Sequence, residues 1–191
     1  ALDSVEALRR RHGDELAALV GGDADVAREI DATFDEVAAL ARALAVLGHA
    51  TPRAIDAMVS AGERLAVALV VAGYRAAGLP AVAVDARQVM VTGDEHNRAA
   101  PIPDAIERAA AERLQPPLDR GDIPVMAGFI GATAAGVTST LGRGGSDFSA
   151  SLIGAALGAD DIEIWTDVDG MLTADPRVVP AARRIEQIRF D

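Results

Sequence analysis

The chain has 191 residues, half of them apolar, and a formal net charge of −11, so we expect one soluble, cytoplasmic domain with a buried core. The negative charge disfavours nucleic acid and anionic membranes as partners, and the longest apolar run, residues 65–73, is far shorter than the ~20 residues of a membrane span. The chain contains no cysteine, which excludes disulfides and metal sites built from thiolates.

The first part of the chain is predicted to be mainly helical. Apolar residues recur at three- and four-residue spacing over residues 3–20 and 24–47, and Gly21-Gly22-Asp23 separates the two predicted helices. Thr51-Pro52 marks a third helix start, because threonine caps helices and proline is favoured at the first helical position. That helical pattern continues to Gly78, with a break near Ser60-Ala-Gly62 as one alternative.

The remainder alternates short apolar runs with helical patterns. Residues 81–84, 88–91, 123–127 and 162–165 are predicted strands, and residues 103–120, 146–157 and 178–184 are predicted helical segments. This alternation is typical of the α/β class, with a mainly parallel sheet sandwiched between helices. The polar segment from Thr92 to Pro103 is predicted to be a mobile loop.

A glycine-rich segment, Thr140-Leu-Gly-Arg-Gly-Gly-Ser-Asp147, precedes the helix predicted at 146–157. Its glycines let a ligand approach the main chain, and a helix N-terminus attracts anions. Arg143 can grip a carboxylate or phosphate, and Asp147 can hold an ammonium group. Both signs of charge within five residues favour a zwitterion such as an amino acid. The alternative is that the glycines form a turn and Ser146 or Asp147 caps the helix.

Polar residues also follow the predicted strand at 162–165. Thr166-Asp167 stand at its carboxyl end, where open α/β sheets bind ligands. The alternative is a turn rich in hydrogen-bond acceptors, followed by a helix cap at Asp175-Pro176 with Arg177 exposed.

Four motifs taken together resemble aspartate kinases of the amino-acid kinase superfamily. They are Gly128-Phe-Ile-Gly131, Leu141-Gly-Arg-Gly-Gly-Ser-Asp147, Trp165-Thr-Asp-Val-Asp-Gly170 and Asp175-Pro-Arg177, and Ser60-Ala-Gly-Glu-Arg-Leu65 is similar to a helix of that family. The resemblance implies a three-layer amino-acid kinase-like sandwich with an N-terminal helical hairpin. Residues 1–191 would form part of the catalytic domain, mainly helical over 1–78 and α/β over 79–191.

The resemblance also implies the reaction: MgATP phosphorylates the side-chain carboxylate of L-aspartate, giving 4-phospho-L-aspartate and ADP, the first step of lysine, threonine and methionine biosynthesis. ATP and Mg²⁺ are thus the implied cofactors. Arg143 would bind the α-carboxylate, Asp147 and Glu63 the ammonium group, and Ser146 would assist with a hydrogen bond; Arg143 and Asp147 are the catalytic assignments. The alternative for Glu63 is a capping box with Ser60. Arg64 is expected to form a structural ion pair.

The nucleotide site implied by the resemblance consists of Thr166, Asp167, Leu172 and Arg177. Leu172 stands where the family often has an aromatic ring, so ring stacking is not expected there. Asp167-x-Asp169-Gly170 lacks the third ligand and the glutamate of a calcium loop, and a P-loop is excluded because the chain has no lysine. No metal-ligating residues are predicted, since Mg²⁺ would arrive on the phosphates of ATP.

Aspartate kinases also carry an N-terminal Lys-Phe-Gly-Gly-Thr-Ser segment and C-terminal regulatory domains, neither of which occurs in this sequence. We therefore expect a chain truncated at its N-terminus and inactive as it stands. Two alternatives remain open: another superfamily member, such as a glutamate or uridylate kinase, or a non-catalytic binding module of the same fold. A homo-oligomer is compatible with either. The scattered residues His12, His49 and His96 are expected to be plain surface residues.

Overall fold

The computed structural model describes residues 2–166 and 170–187. The chain forms two compact units, Ala1–Asp160 and Asp161–Asp191. The elements of the first unit, in chain order, are α1 (Leu2–Val20), α2 (Ala24–Leu47), α3 (Pro52–Ala76), β1 (Ala81–Val84), β2 (Val91–Thr92), α4 (Pro103–Arg113), α5 (Gln115–Asp119), β3 (Ile123–Met126), β4 (Ile130–Thr133), β5 (Thr138–Thr140) and α6 (Gly145–Leu157). None of the described helices is long and apolar enough to cross a membrane.

The predicted helical hairpin is confirmed, and its boundaries follow from local chemistry. The Asp23 carboxylate accepts hydrogen bonds from the N–H groups of Asp25 and Val26, which caps α2. Gly48 ends α2 in the left-handed conformation with φ 73°. Thr51 caps α3, and that helix runs without a break through Ser60, so the alternative of a break there is wrong.

Helix α3 joins the helical part of the unit to its strands. Buried side chains of α1, α2 and α3 form one apolar cluster; they are Val5, Leu16, Val26, Ile30, Phe34, Ala38, Leu65, Ala68 and Ala72. Val67 of α3 belongs to a second cluster with Ala127 and Ile130. A third cluster sets Val89 and Val84 against α4 and α6. The strands are therefore covered by α3 and by the pair formed by α4 and α6.

The described strands form two small sheets. Strands β1 and β3 pair in parallel, and so do β2 and β4, whereas β4 and β5 are antiparallel. The prediction of a mainly parallel arrangement thus holds for two of the three described strand pairs. Strands β4 and β5 were not predicted, because each is short and the glycine motif at 128–131 obscures the alternation.

Several predicted boundaries are wrong for identifiable reasons. The strand predicted at 88–91 shrinks to Val91–Thr92, because the Asp85 side chain accepts a hydrogen bond from Arg87 N–H and starts a 3₁₀ turn at Ala86–Gln88. The helix predicted over 103–120 divides at Leu114, just before two consecutive prolines, which lack N–H donors.

The second unit contradicts two further predictions. Residues 162–165 have no regular secondary structure, and Ile162, Ile164 and Trp165 are exposed. An apolar run becomes a strand only when another strand satisfies its backbone groups. Residues 178–184 form turns rather than a helix, and Pro180 has no N–H with which to continue one. One isolated antiparallel bridge joins Leu172 and Arg184.

Candidate functional site

The glycine-rich segment forms the connection between β5 and α6 and ends at an uncapped helix. Gly144 is the N-cap residue in the left-handed conformation, φ 75°, and no side chain caps α6. Ser146 and Asp147 lie within the first turn of this helix, so the alternative that one of them is its cap is wrong. The N–H of Gly145 donates to Gly142 O at 3.0 Å. The remaining first-turn N–H groups of an uncapped helix are available to an anion, and the helix dipole favours negative charge there.

Arg143, Ser146 and Asp147 line one cavity of about 490 Å³. The structure therefore brings together three of the four residues predicted to bind the substrate. The other residues that line this cavity, called the glycine-loop cavity below, are Ile55, Val59, Asn97, Phe129, Thr140, Gly142, Gly144 and Gly145.

The charges of the glycine-loop cavity are available to a ligand. Arg143 and Asp147 are both exposed, and within the described part of the chain neither side chain forms a hydrogen bond or ion pair. A guanidinium and a carboxylate on one cavity wall can bind the carboxylate and the ammonium group of the same amino acid.

The motif Gly128-Phe-Ile-Gly131 packs against the first turns of α6. A Cβ atom on Gly128 would lie 2.9 Å from Cα of Ser146, so only glycine permits this approach. Phe129 has a positive φ of 67°; its N–H donates to Oγ of Ser149 at 3.0 Å, and that hydroxyl donates to Gly145 O at 2.7 Å. These contacts fix the start of α6 against the start of β4.

Glu63 lies on α3 and is not among the residues that line the glycine-loop cavity. It is half-buried and shares a helix face with Asp56 and Ser60, since residues seven and three apart in a helix lie on one side. The capping-box alternative is wrong, because the helix begins at Pro52 and the Ser60 hydroxyl donates to Ala57 O at 2.9 Å. The predicted ion pair of Arg64 is confirmed: its Nη1 lies 2.9 Å from Oε2 of Glu36.

The predicted nucleotide-binding residues belong to the second unit. Thr166 is exposed, Leu172 is half-buried, and Asp167 lies outside the described residues. Arg177 is exposed and pairs with Asp175, with Nη2 2.8 Å from Oδ2. Its hydrogen bonds lower the pKa of Asp175. Arg177 N–H also donates to Oδ1 of Asp175 at 2.9 Å, so Asp175 caps a turn and not the helix of the alternative interpretation.

A second cavity, of about 450 Å³, lies at the end of β1 and is also charged. Its lining includes Arg64, Asp85, Arg87 and Arg113. Burial raises the pKa of Asp85, but the hydrogen bonds and charge of Arg87 outweigh it and leave this pKa below its usual 3.8. Arg87 pairs with Asp85 at 2.6 Å and Arg64 with Glu36. Arg64, Asp85 and Arg87 are thus already paired, whereas the side chains of Glu29 and Arg113, which also line this cavity, form no hydrogen bond or ion pair within the described residues.

Sequence reasoning missed Asp56, which is fully buried on α3. Its Oδ2 lies 2.7 Å from Nδ1 of His96, and the His96 side chain is only 18% exposed. The prediction that the histidines are surface residues is therefore wrong for His96. It is also wrong for His12, whose half-buried ring packs edge-on against Phe34, with ring centroids 5.2 Å apart. It is confirmed for His49, which is exposed. The sequence signal that could have indicated Asp56 is the i, i+4, i+7 spacing of Asp56, Ser60 and Glu63, which places the three residues on one helix face.

Comparisons with known proteins agree with the motifs. The sequence model of the amino acid kinase family matches residues 1–191. The lysine-sensitive aspartokinase 3 of Escherichia coli is 42% identical over 165 residues, 86% of this chain and 36% of that protein. An aspartate kinase of Pseudomonas fluorescens is 35% identical over 190 residues, 99% of this chain and 43% of that protein. The chain thus spans well under half the length of these relatives.

Solved structures extend the comparison to the fold. The crystal structure of Escherichia coli aspartokinase III in complex with aspartate and ADP, in the R-state, matches with a TM-score of 0.88 and 38% identity, over 96% of this chain and 40% of that one. The T-state complex of that enzyme with lysine and aspartate matches with a TM-score of 0.76 and 42% identity, over 84% and 36%. The predicted α/β sandwich with an N-terminal helical hairpin is confirmed, and the chain belongs to the amino acid kinase family.

Proposed function

We propose that this chain is part of the catalytic domain of an aspartate kinase, which transfers the γ-phosphoryl group of MgATP to the side-chain carboxylate of L-aspartate. Residues 1–191 would then form one portion of that domain, helical over 1–78 and α/β over 79–191. The observation that carries the proposal is the placement of Arg143, Ser146 and Asp147 on one cavity at an uncapped helix N-terminus.

The cavity offers complementary groups to each end of the substrate. Arg143 binds the α-carboxylate through two parallel hydrogen bonds, and the first-turn N–H groups of α6 add partial positive charge. Asp147 binds the ammonium group, and Ser146 donates or accepts one further hydrogen bond. Glu63, on the same face of α3 as Asp56, is the second proposed partner of the ammonium group.

The chemical step requires positioning rather than a base. The β-carboxylate of aspartate is ionised at neutral pH and is already a nucleophile. One of its oxygens bonds to the γ-phosphorus while the bond from that phosphorus to the bridging oxygen of ADP breaks, and ADP leaves with the electron pair. No proton is transferred. The protein contributes by aligning two anions and by placing donors where charge develops.

On the nucleotide side we propose Thr166, Asp167, Leu172 and Arg177. Arg177 already accepts one anionic partner in Asp175, and an arginine fork carries five donors, so it can bind a phosphate oxygen while it keeps that pair. Mg²⁺ would supply charge neutralisation on the ATP phosphates. Residues 2–166 and 170–187 contain no cluster of three or more His, Cys, Asp or Glu side chains that could hold a metal ion.

The relatives support this assignment in two ways. The solved structure with a TM-score of 0.88 is a complex of an aspartokinase with aspartate and ADP, the substrate and product that the proposed reaction requires. Two aspartokinases are 42% and 35% identical to this chain, over 86% and 99% of its length respectively.

The test is a coupled ADP-release assay on the full-length protein with MgATP and one acceptor at a time: L-aspartate, L-glutamate or uridine monophosphate. We expect turnover with L-aspartate and trapping of the product by hydroxylamine, which reacts with an acylphosphate. Arg143→Ala serves as the variant of low activity, and Arg120→Ala, which removes an exposed guanidinium paired with half-buried Asp122, as its control. Turnover with glutamate or uridine monophosphate alone would assign another kinase activity, and binding without turnover would favour the non-catalytic alternative.

A further inference from the structure

Asp56 is a buried carboxylate that the proposed reaction does not use. It lies in α3 between Ile55 and Val59, two side chains that line the glycine-loop cavity, and its own exposure is 0%. A carboxylate is seldom buried unless several donors compensate for the loss of water. Its hydrogen-bond partners therefore indicate what it holds in place.

Three donors from two distant segments converge on this carboxylate. Thr140 Oγ1 donates to Oδ1 at 2.6 Å, and Nδ1 of His96 lies 2.7 Å from Oδ2. The N–H of Asn97 is 3.1 Å from each oxygen. The bond to Thr140 spans 84 residues of sequence. Asp56 thus joins α3 to the segment 92–103 and to the last residue of β5.

Both segments form the wall of the cavity that carries Arg143. Asn97 lines this cavity in a left-handed conformation, φ 68°, which asparagine adopts more readily than most other residues with a side chain. The bonds to Asp56 are made by the N–H of Asn97 itself, so they hold the backbone of this residue in place. Thr140 comes two residues before Gly142, and Thr140 O accepts from Ala99 N–H at 2.8 Å.

The two segments also touch at the glycine loop. A Cβ atom on Gly142, whose φ is 80°, would lie 3.0 Å from Asn97 O. A displacement of Asn97 is therefore transmitted to the residue that precedes Arg143. The segment predicted to be mobile is held at this point by a buried acceptor.

We propose that Asp56 is a positioning residue for the glycine-loop cavity: its buried carboxylate holds Asn97 and Thr140, and through them it sets the position of Arg143. The proposal rests on the proposed function for its kinetic consequence. It assigns to Asp56 no contact with the substrate.

The test compares variants of the full-length protein in aspartate KM, ATP KM and hydrogen exchange. Asp56→Asn keeps the shape but replaces one acceptor with an NH₂ group, and Thr140→Val removes one donor. Because misplacing a binding group by a fraction of an ångström weakens one substrate selectively, each should raise the aspartate KM by about tenfold. The ATP KM should change less than about twofold. Amide exchange at residues 96–98 and 140–144 should accelerate, while exchange in α1 and α2 stays unchanged.

Two matched controls separate positioning from a general loss of stability. Thr140→Ser keeps the hydroxyl and should restore the wild-type aspartate KM. Thr33→Val removes an equally buried threonine hydroxyl, which donates to Glu29 O at 2.9 Å in α2, and should leave both KM values unchanged. If Asp56→Asn does not fold, Thr140→Val and Thr140→Ser decide the question.

The proposal would be overturned if Thr140→Val showed the wild-type aspartate KM together with wild-type exchange at residues 96–98 and 140–144. It would also be overturned if Thr33→Val raised the aspartate KM as much as Thr140→Val does. If the wild-type protein does not phosphorylate aspartate, the proposed function fails separately. The exchange measurement, which needs no turnover, then decides whether Asp56 holds the two segments.

Discussion

The glycine-loop cavity and the segment 170–187 both carry residues assigned from sequence motifs, but they are held in place by different kinds of contact. Around the cavity, hydrogen bonds join distant parts of the chain, such as Asp56 with Thr140 and Phe129 with Ser149. In the segment 170–187, the pair of Asp175 with Arg177 spans two residues of sequence, and the bond from Arg183 N–H to Thr173 Oγ1 spans ten. Long-range contacts fix side-chain positions more strongly because many of them must break together for one group to move.

The comparison therefore separates residues held by contacts of long sequence separation from residues held by contacts of shorter sequence separation. Substitutions at the first kind should alter binding through small displacements. Substitutions of the second kind of residue should remove only the interactions of the substituted side chain. The following predictions test this difference, and the kinetic ones refer to the full-length protein.

The largest effect is expected at Arg143, the charge that faces the cavity. Arg143→Ala should lower kcat/KM for aspartate by about a hundredfold, because a charge-assisted hydrogen bond contributes roughly 1.5–3 kcal/mol. Arg143→Lys should lower it by at least about tenfold, since an ammonium group cannot reproduce the two parallel bonds. Steady-state kinetics measure both, with circular dichroism to check the fold. Near-normal kinetics in either variant would contradict the assignment.

Glu63 tests whether a residue outside the cavity lining still binds the substrate. Glu63→Gln should weaken aspartate binding by about tenfold, because a neutral amide cannot pair with an ammonium group. Calorimetric titration with aspartate measures the effect. Thr51→Ala is the control: it removes the cap of α3 at a cost of about 1 kcal/mol of stability and should leave aspartate binding unchanged. A Glu63→Gln variant that binds aspartate normally would restrict this residue to a structural role.

A substitution at Gly128 tests whether displacing the start of α6 lowers activity when no binding group is removed. Gly128→Ala places a Cβ atom 2.9 Å from Cα of Ser146, so the start of α6 must shift. We expect a loss of about 1–3 kcal/mol in stability and about a fivefold fall in kcat/KM for aspartate. Gly13→Ala, in α1 with no atom within 4 Å of the new Cβ, should instead stabilise the protein by about 0.5–1 kcal/mol. Denaturant unfolding and kinetics together measure both outcomes.

The smallest effect is expected at Asp85, whose pKa is lowered below 3.8 although burial opposes the shift. A carboxylate whose pKa is lower in the folded state stabilises the protein above the unfolded-state pKa, and this contribution disappears as pH falls through the folded value. Asp85→Asn should therefore reduce the free energy of unfolding near pH 7 by less than about 1 kcal/mol, since the pair with Arg87 is partly exposed. The difference between wild type and variant should shrink as pH falls below 3.8.

Asp175 provides the matched comparison for Asp85. Its pKa is also lowered, through the hydrogen bonds of Arg177, but both side chains of this pair are exposed. Asp175→Asn should produce no measurable change in the free energy of unfolding at any pH between 7 and 3, because water screens the pair. A pH-dependent loss at Asp175 as large as that at Asp85 would remove the distinction between the two regions.

Much of the first unit could be predicted from the sequence because its signals are local. The caps at Asp23 and Thr51 and the left-handed Gly48 end or begin helices by bonds to residues within four positions. The apolar periodicity of α2 and α3 likewise depends only on helix geometry. The strands at 81–84 and 123–126 were predicted because they are short apolar runs bounded by turn residues.

The predictions that failed depend on contacts between residues that are distant in sequence. Residues 162–165 have the composition of a strand, but a strand requires a partner, and composition does not state whether one is present. His96 has the ordinary sequence context of a surface residue, yet it is largely buried because Asp56, 40 residues away, lies opposite it. No local pattern reports a contact of that separation.

The sequence by itself determined the helical hairpin, the α/β class, the glycine-rich segment and the residue types available for binding an amino acid. Each follows from backbone geometry, side-chain chemistry or a motif that extends over a few residues. Only the tertiary structure decided that Arg143, Ser146 and Asp147 share a cavity, that Glu63 does not line it, and that Asp56 is buried behind its wall. These outcomes depend on which distant segments pack together, because burial and hydrogen-bond partners are properties of the folded chain as a whole.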